Sequence, residues 1–264
     1  MADDAAPPPH AIAELLGPLC SAVLLLRVSG KVEIGSSTLV RVGERFLLAT
    51  AAHTVDDARD EEIRLVPCGR SPAAPLPFLR RSVRRRSDPD DVAWVELAAE
   101  TVANRGLGFV ELACVGGNGG GGDELCYLVQ GYPAERVLAV GWNGASLQAM
   151  GFVTLAARGR AGDLAVLYPP PESGEWPPPH PYGISGGGIW RLARSDVTPW
   201  RRGTRLVAIA RGWRRRRGTL HGTPIERWLA RVADDLPALR GAVLPLLKRE
   251  GLDGPPASYP ATSG

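Results

Sequence analysis

The sequence predicts an all-β protein in two halves, followed by a C-terminal α-helix. Short apolar segments, separated by many of the 32 glycines and 24 prolines, recur without alternating helices, a pattern typical of all-β architectures. A glycine-rich run from Val115 to Asp123 is too flexible to hold a strand and divides these segments into two series. With 264 residues, 44% of them hydrophobic, the chain can bury a substantial core in one large or two small domains.

The first half is predicted to place a histidine at the end of a hairpin. Residues 35–53 form two short strands joined by a turn at Gly43-Glu44, and small residues leave room around the His53 imidazole. Further strands are predicted at 21–28, 62–67 and 91–97. The proline- and alanine-rich N-terminus is predicted to be disordered, with a short helix at 12–16.

The second half is predicted to contain another strand series and then the helix. Strands are expected at 124–131, 145–155, 164–168, 188–192 and 205–210. Thr223-Pro224-Ile225-Glu226 has the pattern of a capping box and predicts a helix that packs on the second half and breaks at Pro237, with a second segment through Leu247. The predicted division is an N-terminal segment 1–19, a first barrel 20–114, a linker 115–123, a second barrel 124–221, a helical segment 222–248 and a disordered tail 249–264.

Three short motifs carry the candidate chemistry. Thr50-Ala51-Ala52-His53 ends the hairpin, Asp91-Val92-Ala93 opens a strand, and Gly183-Ile184-Ser185-Gly186-Gly187 forms a glycine-rich turn before another strand. Each alone has an ordinary explanation, as a packed histidine, a turn aspartate or a loop serine. Together, and in this order, they resemble the chymotrypsin-type serine peptidases over about residues 21–229.

The resemblance implies two six-stranded antiparallel β-barrels with an active site in the cleft between them. It implies that His53, Asp91 and Ser185 are catalytic and that the N–H groups of Gly183 and Ser185 form an oxyanion hole. A serine hydroxyl needs a base to take its proton, and the base needs a carboxylate to hold its ring. Asp90 and Asp88 are rival acids, but Asp91 directly precedes the strand.

Substrate recognition is expected on two segments of the second half. Arg211-Gly212-Trp213 resembles the family segment that pairs with the substrate backbone, and Pro179 stands where trypsin-like members carry an acid. No strong preference for a basic residue is therefore expected. Members activated by clipping pair a new N-terminal ammonium with an aspartate just before the serine. Ile184 occupies that position and cannot accept such a bond, so activation by clipping is not expected.

Two arginine clusters and three further histidines have no assigned role. Residues 80–86 are the densest positive cluster, and a nucleic-acid site is the alternative to a solvated edge strand. No aromatic residues interleave these arginines, so a nucleic-acid partner is not expected. Residues 214–217 are expected to form a solvated turn. His10 and His221 lack catalytic context, and for His180 loop surface is favoured over a position lining the cleft.

Composition excludes several other classes. The longest apolar run, residues 15–26, contains Gly17 and Pro18 and is too short to cross a bilayer. The N-terminal residues lack the positive charge that precedes a secretory core. Four cysteines show neither a CxxC pair nor metal-ligand spacing. A cytoplasmic protein with reduced thiols, no membrane partner and no metal or other cofactor is therefore expected.

The sequence thus predicts a bacterial serine endopeptidase that forms an acyl-enzyme intermediate. By analogy with intracellular relatives of the family it resembles, the expected partner is one specific protein substrate in a regulatory or defence setting. One rival hypothesis is a catalytically silent protein of the same fold that binds peptides. The other is a nucleic-acid-binding β-protein that uses the arginine clusters.

Overall fold

The structure is a computed structural model, and its secondary structure is dominated by fifteen strands. It describes residues 21–67, 78–83, 91–105, 107–116, 126–141, 144–147, 150–157, 163–168, 180–192 and 204–249. The predicted N-terminal helix, the central glycine run, Arg84 to Arg86 and the C-terminal tail lie outside these residues. No helix in the described part of the chain is long and apolar enough to cross a membrane.

The first sheet contains seven strands. Six follow the order β4-β1-β2-β3-β6-β5, all antiparallel, and β7 adds a short parallel pairing to β2. Their bounds are β1 Ser21–Val28, β2 Lys31–Val42, β3 Arg45–Ala51, β4 Ile63–Pro67, β5 Phe78–Val83, β6 Val92–Leu97 and β7 Val110–Glu111. The arginine-rich β5 is an edge strand, as the sequence favoured. Two short helices belong to this half, α1 Ala52–Val55 and α2 Ala99–Arg105.

The second sheet contains six antiparallel strands in the order β11-β8-β13-β14-β15-β12. An isolated bridge between Ala156 and Val166 links its two outer strands and curls the sheet toward closure. Its strands are β8 Cys126–Gly131, β11 Met150–Leu155, β12 Leu164–Leu167, β13 Gly188–Arg191, β14 Arg205–Arg214 and β15 Thr219–Pro224. A separate hairpin pairs β9 Val137–Gly141 with β10 Gly144–Leu147. The predicted fold class, two curled six-stranded sheets with a C-terminal helix, is confirmed.

Three buried clusters hold these layers together. One lies within the first half around Leu39, Leu48 and Ile63, and a second lies within the second half around Val129 and Ile189. The largest joins the two halves to the C-terminal helices and includes Leu47, Trp94, Leu128, Trp190, Leu206 and Trp228. The two halves therefore share one continuous core, and the geometry between them is set by packing.

The C-terminal helices brace both halves. Helix α3 spans Ile225–Asp235 and α4 spans Arg240–Arg249. The buried Trp228 indole donates a hydrogen bond of 3.0 Å to the carbonyl of Ala93 on β6. The helix thus contacts the first half as well as the second half, on which it was predicted to pack.

The helix starts one residue later than predicted, at Ile225 instead of Pro224. Thr223 lies in β15, where it pairs with Ile209, and Pro224 precedes the first helical residue, Ile225, without any side-chain cap. Pairing of β15 with β14, whose residues 206–210 are apolar and buried, outweighed the local capping pattern. The break at Pro237 is confirmed, since a single 3-10 turn over Pro237–Leu239 separates the two helices.

Candidate active site

His53 and Asp91 form a doubly hydrogen-bonded pair at the edge of the first sheet. His53 lies in α1, directly after β3, and Asp91 directly precedes β6. These strands are antiparallel neighbours, with Ala51 opposite Val92, so the sheet register brings the two side chains together. The Asp91 carboxylate accepts hydrogen bonds from the His53 backbone N–H at 2.9 Å and from ring Nδ1 at 2.7 Å. A proton on Nδ1 leaves Nε2 free to accept another.

The backbone of Asp91 adopts a left-handed conformation, with φ 46°. Few non-glycine residues do so, and aspartate and asparagine tolerate it best. The Asp91 carbonyl accepts a hydrogen bond of 3.1 Å from the N–H of Ala52, next to the histidine. The Asp91 side chain is 11% exposed. The backbone is therefore locally strained at Asp91, whose carbonyl and carboxylate accept hydrogen bonds from Ala52 and His53, respectively.

The serine turn requires glycine on both sides of Ser185. Gly183 and Gly186 have φ values of 93° and 95°. A Cβ at Gly183 would collide with the Tyr132 carbonyl oxygen, and one at Gly186 would collide with the Ser36 carbonyl oxygen. The turn is thus packed against residues from both halves of the protein, which only glycine permits.

Every carbonyl from Tyr182 to Gly186 has a hydrogen-bond donor. Tyr182 O accepts from Ala134 N at 2.8 Å, and Ile184 O accepts from Gly187 N at 2.8 Å. The remaining three are bound by groups of β2: Gly183 O by the Ser36 hydroxyl at 2.6 Å, Ser185 O by the Ser36 N–H at 3.0 Å, and Gly186 O by the Thr38 hydroxyl at 3.2 Å.

Two of these bonds also fix the direction of backbone N–H groups, which point away from the bound carbonyls. In a trans peptide the C=O and N–H point to opposite sides, so fixing Tyr182 O and Ile184 O also fixes the N–H groups of Gly183 and Ser185. Among the described residues, neither N–H donates to a protein acceptor. The turn therefore offers a pair of unused donors that flank the Ser185 side chain.

All three predicted catalytic residues line one pocket of about 280 Å³. His180, Pro181 and Tyr182 form one side of it, and residues 210–213 with Leu220 form another. No hydrogen bond joins the Ser185 hydroxyl to the His53 ring among the described residues. Such bonds are often long in an enzyme without substrate, and Ser185 Oγ can rotate about a single torsion.

Solved structures with similar folds are serine proteases or relatives of them. The protease Anisep from Arthrobacter nicotinovorans is 16% identical, with a TM-score of 0.50, and the match covers 79% of this chain and 91% of that one. A serine endoprotease from Yersinia pestis is 16% identical, with a TM-score of 0.52, and the match covers 94% of this chain and 69% of that one. An inactivated protease paralogue from the scabies mite is 12% identical, with a TM-score of 0.56 and coverages of 89% and 100%. No family profile and no curated protein sequence matches the chain.

The chain has the chymotrypsin-like fold. At these identities the likeness shows the fold alone, and the scabies mite protein shows that the fold also occurs without activity. Any conclusion about chemistry in this chain therefore depends on its own residues.

Within this chymotrypsin-like fold, β14 leaves one edge open beside the pocket. Strand β13 pairs with β14 only over residues 205–209, so in the described part of the chain no strand pairs with Gly212 and Trp213 on that side. The register of β14 against β15 shifts between Ala210 and Gly212, and a bulge of this kind redirects the extra residue, Arg211. The Arg211 guanidinium binds the Asp163 carboxylate at 2.5 Å, with both side chains mostly buried.

A buried histidine lies behind the pocket wall. His221 is 3% exposed on β15, next to Leu220, and its Nε2 lies 3.0 Å from the Thr219 hydroxyl. Its Nδ1 has no hydrogen-bond partner within the described part of the chain. Burial, followed by the charge of Arg214, lowers the pKa of His221, although Asp163 opposes this shift. The folded protein therefore favours the neutral ring more strongly than the unfolded chain does.

The structure brings together most of the predicted site residues. His53, Asp91, Ser185, Arg211, Gly212 and Trp213 all line the pocket, and Gly183 lies in the same turn. Pro179 lies outside the described residues, as do Asp88 and Asp90. His180 is exposed, as the sequence favours, and it also lines the pocket, with its ring packed edge-on against Trp213 at 5.0 Å between centroids.

Sequence reasoning missed the residues that hold the serine turn. Ser36, Thr38 and Thr50 are fully buried in the first sheet, and Tyr132 and Ala134 follow β8. One signal was present: Ser36-Ser37-Thr38 is a run of three hydroxyl residues in the middle of a strand. Buried hydroxyls need partners, so such a run indicates contacts beyond the strand itself.

Proposed function

We propose that this chain is a serine endopeptidase. The observation that carries the proposal is the arrangement of one pocket: an imidazole held by a buried carboxylate, a serine beside it, and two unused N–H donors flanking that serine. Base, nucleophile and charge-stabilising donors are the three parts that acyl transfer requires.

The proposed reaction begins when the Ser185 hydroxyl turns to Nε2 of His53 and attacks the substrate carbonyl. His53 takes the hydroxyl proton, and Asp91 stabilises the imidazolium through the bond to Nδ1. The negative charge on the former carbonyl oxygen is met by the N–H groups of Gly183 and Ser185. His53 then gives its proton to the leaving amine, and the C–N bond breaks to leave an acyl-serine. Water, activated by the same histidine, hydrolyses that ester.

A protein substrate in extended conformation fits the open edge of β14. Gly212 and Trp213 pair with β15 on one side, and their other side offers backbone hydrogen bonds to an added antiparallel strand next to Arg211. Asp163 neutralises Arg211 at the pocket wall, and the described lining contains no acid other than Asp91, so we expect no strong preference for a basic side chain. One specific protein partner in the cytoplasm, in a regulatory or defence role, is part of this proposal.

The proposal is tested by labelling with a fluorophosphonate probe, which reacts only with an activated serine. We expect the wild-type protein to be labelled and Ser185→Ala to remain unlabelled. A mass spectrum of the digested adduct should place the modification on Ser185.

Equal labelling of both proteins would show that the probe reacts elsewhere and would contradict the proposal. No labelling of a folded wild type, tested also with candidate protein partners present, would instead favour a silent peptide-binding protein of the same fold. Circular dichroism on each sample verifies that it is folded.

A further inference from the structure

Ser36 lies on β2 of the first sheet, but it binds two segments of the second half: the serine turn and the segment after β8. Its hydroxyl donates to Gly183 O at 2.6 Å and accepts from the N–H of Tyr132 at 2.9 Å. Its own N–H donates to Ser185 O at 3.0 Å. Its carbonyl accepts from the Thr50 hydroxyl at 2.9 Å. This one residue therefore connects β3, the segment after β8 and the turn that carries Ser185.

The surroundings of Ser36 are closely packed. The residue is fully buried, and a Cβ added at Gly131 would lie 3.0 Å from its hydroxyl oxygen. Gly186 approaches the Ser36 carbonyl so closely that no Cβ fits. Without the Ser36 hydroxyl, the Gly183 carbonyl and the Tyr132 N–H would both lose a partner where water has little space to replace it.

The same contacts control the peptide group between Tyr182 and Gly183. Its carbonyl is held by the N–H of Ala134, which follows Tyr132 by two residues. Gly183, on the other side, is held by Ser36. If this peptide turned over, the Tyr182 carbonyl would take the place of the Gly183 N–H and the donor pair would be lost. Glycine offers little resistance to such a rotation, so the orientation depends on the anchors at both ends.

We propose that Ser36 is a positioning residue that keeps the Gly183 N–H directed at the reacting carbonyl. The inference rests on the proposed peptidase function and adds how the oxyanion hole is held. The residue before the serine, Ile184, is fully buried and apolar, so no charge at that position anchors the turn. Hydroxyl groups of the first sheet, Ser36 and, less directly, Thr38, hold it instead.

The test compares Ser36→Ala with Ser36→Thr and with Ser37→Ala. Ser37 is equally buried on the same strand and faces the other side of it, so Ser37→Ala is a matched loss of a buried serine hydroxyl. The two readouts are the rate of fluorophosphonate labelling and kcat and KM for p-nitrophenyl acetate hydrolysis. A circular dichroism melt records the stability of each variant.

We expect Ser36→Ala to lower kcat and the labelling rate by about 10- to 100-fold, which is somewhat less than the loss caused by removing an oxyanion donor outright. KM should stay within about twofold of the wild-type value. Ser37→Ala should stay within about twofold of wild type. Ser36→Thr keeps the hydroxyl and should label faster than Ser36→Ala even where its added methyl makes it less stable. A purely structural role predicts the opposite, since activity would then follow stability.

Each outcome decides between the two proposals. If the wild type is labelled and Ser36→Ala is labelled at the same rate, the role of Ser36 is overturned while the peptidase proposal stands. If the folded wild type is not labelled, both proposals fall.

If Ser36→Ala does not fold, Thr38→Val carries the test. It replaces the hydroxyl bound to Gly186 O with a methyl group of similar size, and we expect labelling to slow by roughly threefold or more because the turn is less firmly held. An unchanged rate in that variant overturns the inference.

Discussion

The two halves of the molecule hold their parts of the candidate site in different ways. In the first half, His53 and Asp91 are 38 residues apart and meet because β3 and β6 are neighbours in one sheet. In the second half, the turn around Ser185 is held from the other sheet, by bonds between residues 147 and 148 positions apart. The base and its acid therefore need only one sheet, whereas the serine turn needs both halves docked together.

The largest effect is expected from a change in the His53–Asp91 pair, which the first sheet builds by itself. Asp91→Asn keeps the left-handed backbone, which asparagine tolerates, but its amide cannot hold the Nδ1 proton of His53. We expect kcat to fall by about 10⁴-fold with little change in melting temperature, measured on a chromogenic ester.

Asp90→Asn is the matched control, because it removes the adjacent acid and should leave the rate near that of wild type. A larger loss from Asp90→Asn than from Asp91→Asn would contradict the assignment of the acid.

The next largest effect is expected from a change in the serine turn, which depends on the docking of the two halves. Gly183→Ala places a Cβ against the Tyr132 carbonyl oxygen at a residue with φ 93°, so the turn must shift. We expect labelling to slow by about 100- to 1000-fold, the loss typical of one oxyanion donor. Gly43→Ala supplies the control: it also has positive φ, 59°, but open space around it. It should lower stability and leave labelling intact, and equal slowing in both variants would show that backbone strain alone is responsible.

A third change weakens the contact between the C-terminal helix and the first half. Trp228→Phe removes the indole N–H that donates a buried hydrogen bond to the Ala93 carbonyl, and it also shortens a fully buried side chain. We expect the free energy of unfolding to fall by about 1–3 kcal/mol, measured by urea denaturation. Trp94→Phe, which loses a bond to the less buried Asp235, should cost less. The reverse ranking would mean that this helix contact contributes little to docking.

The smallest effect concerns pH and the second half alone. The pKa of His221 is lowered by burial and by Arg214, Arg211 and Arg217, against the opposing charge of Asp163. As the pH falls below about 6.5, the unfolded histidine takes up a proton before the folded one does. Stability is therefore full above that pH and is lost as the pH falls toward the folded pKa. His221→Gln should show a smaller drop in melting temperature between pH 7.5 and 5.5, and an equal drop would contradict this role.

The sequence predicted several strands with strong local patterns and missed others, including β9 despite its apolar run. Strands such as β1, β4, β6 and β12 lie within a residue or two of their predicted positions, because apolar runs between turn residues identify them. Strand β15 was missed because Thr219-Leu220-His221-Gly222 has few residues that favour strands. It forms because β14 and β12 pair with it on both sides.

The residue types of the site were predictable from short motifs, since the glycines, the histidine after two alanines and the acid before a strand are all local. Sequence alone settled which residues are candidates and that the chain folds into two β halves. Only the tertiary structure decided that Ser36 and Thr38 hold the turn around Ser185, and that His180 lines the pocket. The physical reason is that a buried polar group finds its partner through packing between sheets, over separations for which no local pattern exists.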